Sequence, residues 1–295
     1  MSTQIDTAFA EQFSANVQHL AQQKGSKLRK TVRVENVTGR NAYFDQLGAV
    51  AARQRPSRHA DTPRMDTPHA RRRATLIDYD WADLIDNEDK VKMLIDPSSE
   101  YVKAGGMALG RAMDDAIITA ADAVAYTGQT GSTSTAFDTN MIVDVQVGGS
   151  SSDVGLNIAK LRNAKYLLDS NDVDPDQDRF IVVNAMQMQN LLNETPLQSR
   201  DYNTVQGLVE GTVDRYMGFT FIQTERIGVD ANSDHKVLFF ARDGLLLAIG
   251  SENKGRIEER ADKNYATQVF CSMSIGATRM EEKKVGYIEC DPTLV

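Results

Sequence analysis

The run from Asp96 to about Tyr126 constrains the fold of this chain more than any other stretch. Asp96-Pro97 reads as a helix start, because an Asp side chain accepts from orphan N–H groups and a Pro at the first helical position has none to satisfy. Val102, Leu109, Met113, Ile117, Ala120 and Val124 then recur at steps of three, four and seven, the spacing of one helix face. The remainder is dense in Ala, the best helix former. A single helix here would run about 28 residues, or ~42 Å at the usual rise per residue, well over twice the mean length. Such a helix must lie across a sheet or along several neighbours to cover its stripe. Gly105-Gly106, with Gly110 beyond, interrupts the pattern. Each mid-helix Gly costs ~1 kcal/mol against Ala, so the pair marks either close backbone packing or a bend.

The stretch before this helix carries the second constraint. Up to Thr75 there are 13 basic residues against six acidic ones, a surplus of +7 that leaves −15 for the rest of a chain of net charge −8. A cationic first quarter on an anionic body predicts association between unlike surfaces of identical copies, or contact with a polyanion. Self-association fits better with so acidic a body. Residues 7–22 read as a short amphipathic helix with Phe9, Phe13, Val17 and Leu20 on one face, marginal alone in water and in need of a partner surface. Lys24 to Lys30 reads as a basic flexible link, either a solvated tether or a contact for an acidic neighbour or packaged nucleic acid.

From Thr31 to Arg73 the pattern departs from that of a globular core. An alternating strand over Thr31–Thr38 breaks at Gly39, Ala42-Tyr43-Phe44 follows, and a polar run from Arg53 to His69 holds Pro56, Pro63 and Pro68. A segment of about 40 residues that cannot bury its own apolar side chains reads as an arm or extended hairpin ordered by neighbouring copies. Val32, Val34, Val37, Tyr43, Phe44 and Leu47 argue against a disordered linker. Arg71-Arg72-Arg73 then feed a strand, and Asp80 to Asp86 is expected to begin a short helix or turn. The three arginines are either a solvated face or bidentate partners for a neighbour's carboxylates.

Beyond the long helix, Thr127 to Thr135 is a Gly/Ser/Thr stretch that reads as a loop or domain boundary. Ser152-Asp153 is expected to cap a helix running to about Leu168, with Leu156, Ala159, Leu161, Ala164 and Leu167 apolar. Phe180–Val183 reads as a buried strand, and a helix over 185–193 stops near Pro196. Strands follow over 218–224, 237–240 and 245–249. The long alternation of Tyr265–Arg279 and the run Lys284–Cys290 are two more, joined near Glu281-Glu282-Lys283 and expected to form the sheet beneath the long helix. The class is α+β, with a small, mostly antiparallel sheet.

The residue types of known catalytic and metal chemistry do not converge. His19, His59, His69 and His235 lack ligand spacing, and no Gly-x-Ser-x-Gly elbow occurs. The Gly-rich stretch after Thr127 lacks the lysine of a phosphate loop. Asp114 and Asp115 are adjacent, so they point about 100° apart and pair more simply with Arg111. Asp172, Asp174, Asp176 and Asp178 alternate as in a calcium loop but without its Gly and terminal Glu. Cys271 and Cys290 read as reduced core residues. No catalytic, cofactor-binding or metal residue is therefore assigned. With 41% hydrophobic and 25% charged residues, no run of ~18 apolar residues for a membrane span and no signal-like start, a soluble protein of one large or two ordinary domains is expected.

The order of these pieces resembles the major capsid protein of tailed bacteriophages. The likeness covers most of the chain and is strongest over Arg71–Ala125, in Asp78-Tyr79-Asp80-Trp81-Ala82-Asp83-Leu84-Ile85-Asp86, Asp96-Pro97 and Gly110-Arg111 through Asp114-Asp115. It implies the fold shared with herpesvirus shells and encapsulins: an N-terminal arm (1–32), an extended loop (33–75), a peripheral domain with a spine helix (76–130 and 256–295) and an axial domain (131–255). It also implies pentamers and hexamers closing an icosahedral shell around double-stranded DNA without sequence-specific binding. The partners implied are further copies, a scaffolding protein, a portal and possible decoration proteins, with no membrane and no cofactor, and the place is the virion. Phe9, Phe13, Arg53, Arg55, Arg58, Arg71, Arg72 and Arg73 are the expected inter-subunit contacts, and Gly105 and Gly106 the expected point of spine-helix flexibility. An encapsulin-like compartment shell and an α+β enzyme are the alternative readings.

Overall fold

The computed structural model describes residues 22–55, 57–59, 61–62, 64–86, 98–150, 152–193 and 215–292. Strand β1 (Arg33–Asn36) precedes β2 (Asn41–Leu47), β3 (His69–Thr75) and β4 (Ile77–Ile85). Helix α1 (Ser98–Asp122) leads to β5 (Ala125–Thr127), β6 (Thr133–Thr135) and β7 (Ile142–Val143). Then come α2 (Ile158–Ser170), β8 (Arg179–Val183), α3 (Ala185–Asn193), β9 (Arg215–Tyr216), β10 (Phe219–Gln223) and β11 (His235–Ala241). The chain closes with β12 (Leu245–Arg260), β13 (Ala266–Arg279) and β14 (Val285–Cys290).

These strands make three sheets, ordered β1-β12-β13-β4, β7-β14-β11-β8-β10-β9 and β2-β3-β5-β6. The six-stranded sheet is covered on both faces, which explains the uninterrupted apolar run at its centre. Ile181 and Val183 face a core shared with Leu161, Leu168 and Leu191 of α2 and α3. Phe180 and Val182 face the opposite core, which Leu109 and Ile117 of α1 enter together with Cys271, Met273 and Ile275 of β13. The long helix thus lies over parts of two sheets. A third, smaller core of Ala74, Leu246, Ala248 and Met280 seats the root of the β2–β3 hairpin.

Several elements differ from the sequence expectation, each for a tertiary reason. Helix α1 has 25 residues and stops before Ala125-Tyr126, which join a strand. The buried Arg279 donates to the carbonyls of Ala121 and Ala123 at 2.7 and 2.9 Å, satisfying acceptors that a continuing helix would have used. Asp96 and Pro97 lie outside the described residues, as do Pro196 and all but the last residue of the helix expected over 7–22. The segment expected as helix or turn from Asp80 is strand β4, because β13 offers it a ladder that sets Trp81 opposite Cys271. The cap of α2 is Asn157, whose side chain accepts from Lys160 N at 2.8 Å, not Ser152-Asp153. The Gly/Ser/Thr stretch is the β5–β6 hairpin, turned at Gly128 and Gly131 with φ +90° and +63°, values glycine adopts freely. Strand β14 joins β11 and β7 of the six-stranded sheet, so β13 alone of the closing pair runs beneath the long helix. The boundary expected at 255/256 falls inside β12.

Candidate assembly surfaces

The basic link reads as a tether, yet from Gln22 onward it is docked on α1. Asp114, fully buried, accepts from Gln23 Nε2, Ser26 Oγ, Lys27 N at 3.0 Å and Leu28 N at 3.1 Å. Arg111 does not pair with Asp114; it donates to Gln22 Oε1 at 2.8 Å and Gln23 O at 3.3 Å. Asp115 pairs with Arg226 through both guanidinium arms, and that contact holds the Arg226 pKa above its ordinary value. Gly110 allows the crossing: a Cβ there would stand 2.6 Å from the Gly25 backbone. Leu28 fills the pocket beneath with no exposure.

The three consecutive arginines have three different environments. Arg72 is buried; its Nε donates to Met280 O at 2.9 Å, and its Nη2 meets both Glu282 oxygens at 2.6 and 2.5 Å. Glu282 also lies 3.8 Å from Arg279 Nε, so one carboxylate stands between two buried guanidiniums. Arg71 bonds Asp45 Oδ1 at 2.6 Å and lies over the Tyr43 ring, and that hydrogen bond pulls the Asp45 pKa down. Arg73 stacks over Tyr126 at 4.6 Å. Arg72 is thus engaged inside its own chain, correcting its assignment to a subunit contact, because the hairpin root folds onto the end of β13.

The hairpin beyond this root is open to solvent. Arg53, Arg55 and Arg58 are exposed, as are Leu47 at 70%, Val50 at 64% and Met65 at 52%. Phe9 and Phe13 lie outside the described residues. Gly105 sits where a Cβ would meet Trp81 at 2.6 Å and Cys271 Sγ at 3.0 Å, so close packing accounts for this glycine, and α1 runs unbroken through Gly105-Gly106.

The opposite side of the six-stranded sheet holds a buried lysine. Lys160 Nζ donates to Val154 O at 2.6 Å and Glu289 O at 2.8 Å, and burial pulls its pKa down. Beside it, burial pushes the Cys290 thiol up to about 12. Among the described residues no three His, Cys, Asp or Glu side chains gather as metal ligands, and no helix is long and apolar enough to cross a membrane. Sequence reasoning missed Arg279, Glu282 and Lys160. An Arg within the alternation of β13 was the one local signal for the first, and nothing local marked the other two.

A protein-family model described as phage capsid protein matches residues 5–292. No curated protein matches the sequence. Among solved structures, the capsid of Cyanophage P-SCSP1u aligns with a TM-score of 0.74 at 16% identity, covering 99% of this chain and 96% of that one. The capsid of Ralstonia phage GP4 aligns at 0.74 and 10% identity over 97% of each chain. The mature capsid of bacteriophage PhiM1 aligns at 0.71 and 14% identity, covering 97% of this chain and 93% of that one. At these identities the structural likeness is one of fold.

Proposed function

The chain belongs to the phage capsid protein family, and from that premise we propose that it assembles into the pentamers and hexamers of an icosahedral head shell enclosing double-stranded DNA. Its α+β architecture is the tailed-phage capsid fold, and its place is the virion shell. Membership in a structural family also favours a non-enzymatic role.

The observation that carries the assembly reading is the β2–β3 hairpin. Its root is locked by Arg72 and Glu282, while Leu47, Val50 and Met65 stay uncovered beside exposed Arg53, Arg55 and Arg58. A projecting element with apolar residues and no cover of its own gains stability by lying on another subunit, and its cations complement the acidic remainder of a neighbouring copy. The contacts assigned to assembly are Arg53, Arg55 and Arg58, with Arg71 and Arg73 at the hairpin root and Phe9 and Phe13 from the arm.

Helix α1 with the β1-β12-β13-β4 sheet takes the role of peripheral domain, and the six-stranded sheet with α2 and α3 that of axial domain. This assignment moves β14 from the former to the latter. A scaffolding protein, a portal and decoration proteins are the further partners this reading brings in. Gly106, with Gly105, stays the proposed point of spine-helix flexibility; normal particles from a variant with Ala at both positions would refute it. The assembly test is electron microscopy of the purified chain. Closed shells or capsomers are expected, and a monodisperse monomer at high concentration would overturn the proposal.

A further inference from the structure

Residues 22–32 are joined to the body differently from the strands that follow. They carry two buried apolar anchors, Leu28 and Val32, and these enter one of the three cores while the other two contain nothing from this segment. The rest of the attachment is polar, and its largest cluster meets one atom group. The Asp114 carboxylate takes two backbone N–H groups, a hydroxyl and an amide from Gln23–Leu28. The outlying contacts are Arg111 Nη1 to Gln22 Oε1 at 2.8 Å and Gln23 O at 3.3 Å, Thr224 Oγ1 to Gln23 Oε1 at 3.0 Å, Lys27 Nζ to Gln223 O at 2.6 Å, Arg242 Nη2 to Lys30 O at 3.4 Å, and the Arg29–Glu252 pair. Arg29 and Glu252 side chains are 44% and 62% exposed, and exposed pairs of this kind hold weakly. The backbone of Gly25 passes over Gly110 with no side chain between them.

We propose that residues 22–30 are a detachable strap latched to the long helix by Asp114, and that it opens while the three sheets stay folded. Segments held by few apolar contacts and one polar focus open at lower free energy than the cores they lie on. A carboxylate that accepts several charge-assisted hydrogen bonds is a single point of failure, since losing it leaves Lys27 N and Leu28 N unsatisfied together. Opening the latch changes the direction in which the preceding chain leaves the body, without unfolding the body. The device is a property of the single chain and goes beyond the shell-forming role.

Limited trypsin digestion of the full chain tests this, because the strap carries Lys24, Lys27, Arg29 and Lys30, all exposed, and the hairpin tip carries Arg53, Arg58 and Arg64 as an internal clock. In Asp114→Asn, cleavage after Lys27 should speed up at least about tenfold relative to cleavage in the tip, with the thermal transition of the body still cooperative. Gly110→Ala, which drives a Cβ into the Gly25 backbone, should do the same without touching the carboxylate, and it serves if the first variant fails to fold. An unchanged cleavage ratio in a folded variant overturns the proposal. So does strap cleavage that advances only in step with cleavage at the buried Arg179 and Arg279, since the strap would then open only with the whole molecule.

Discussion

Arg72 and Glu282 lie 210 positions apart in the chain and meet through Arg72 Nη2, 2.6 and 2.5 Å from the two carboxylate oxygens. The Arg72 side chain is 7% exposed and that of Glu282 22%. Arg279, with no exposure, approaches the same carboxylate from the other side. This junction ties the root of the hairpin to the end of β13 and, through the carbonyls of Ala121 and Ala123, to the end of the long helix.

Removing one member of such a junction is costly because the others stay buried and charged. Glu282→Gln leaves two guanidiniums facing a neutral amide, and a loss of about 3 kcal/mol is expected. Urea unfolding should show it as a lower midpoint at unchanged slope. A loss below ~1 kcal/mol, the ceiling for most exposed pairs, would mean that water replaces the carboxylate.

Gly105→Ala sets two effects against each other. The helix gains ~1 kcal/mol in propensity, while the new Cβ collides with the Trp81 ring and Cys271, and overpacking costs typically ~1–3 kcal/mol. Net destabilisation is expected. In the Gly105→Ala, Trp81→Leu double variant the two losses should add to less than their sum, measured as a coupling energy. Strict additivity would show that the ring and the glycine do not interact.

Alkaline pH should weaken the fold through Cys290. Its thiol rises from 9.0 to about 12 by burial, so between those values the folded chain holds a proton that the unfolded chain has lost, and stability falls as pH rises, at most by about 1.4 kcal/mol per pH unit. Lys160 acts in the opposite sense. Its pKa is lowered from 10.5 by burial, so below 10.5 the unfolded chain holds the extra proton and stability rises with pH. Lys160→Met removes that opposing rise, and its alkaline loss should begin at lower pH than in the parent. Urea midpoints from pH 8 upward read both, and identical profiles would show that Lys160 titrates normally.

The hairpin tip offers a separation of folding from assembly. Leu47, Val50 and Met65 are more than half exposed in the single chain, so changing all three to Asp should leave the thermal midpoint within a few degrees, as ordinary surface substitutions do. Particle yield by sedimentation should collapse. Normal particles would show that the tip does not carry subunit contacts.

Much of the secondary structure was legible because its cause is local. The apolar recurrence from Val102 to Ile117 needs only the period of a helix, and the run of Phe180–Val183 and the alternation of 265–279 need only that of a strand. The β2–β3 hairpin was visible only as part of the longer Thr31–Arg73 segment without a core of its own, whose first strand, Arg33–Asn36, pairs instead with β12. Asp80–Asp86 was misread because Trp81, Leu84 and Ile85 also fall at helical spacing, and only the ladder offered by β13 decides for strand. The link at Lys24–Lys30 looked like a tether because its anchor, Asp114, lies nearly ninety positions away.

The sequence by itself determined the long helix, the core strands and the cationic projecting hairpin, since each follows from backbone periodicity and charge within a few residues. Tertiary structure alone decided which sheet takes β14, where α1 ends, and which of Arg71, Arg72 and Arg73 is buried. Those outcomes depend on acceptors and carboxylates supplied by distant segments, and a buried charge is placed by whichever partner compensates its lost hydration.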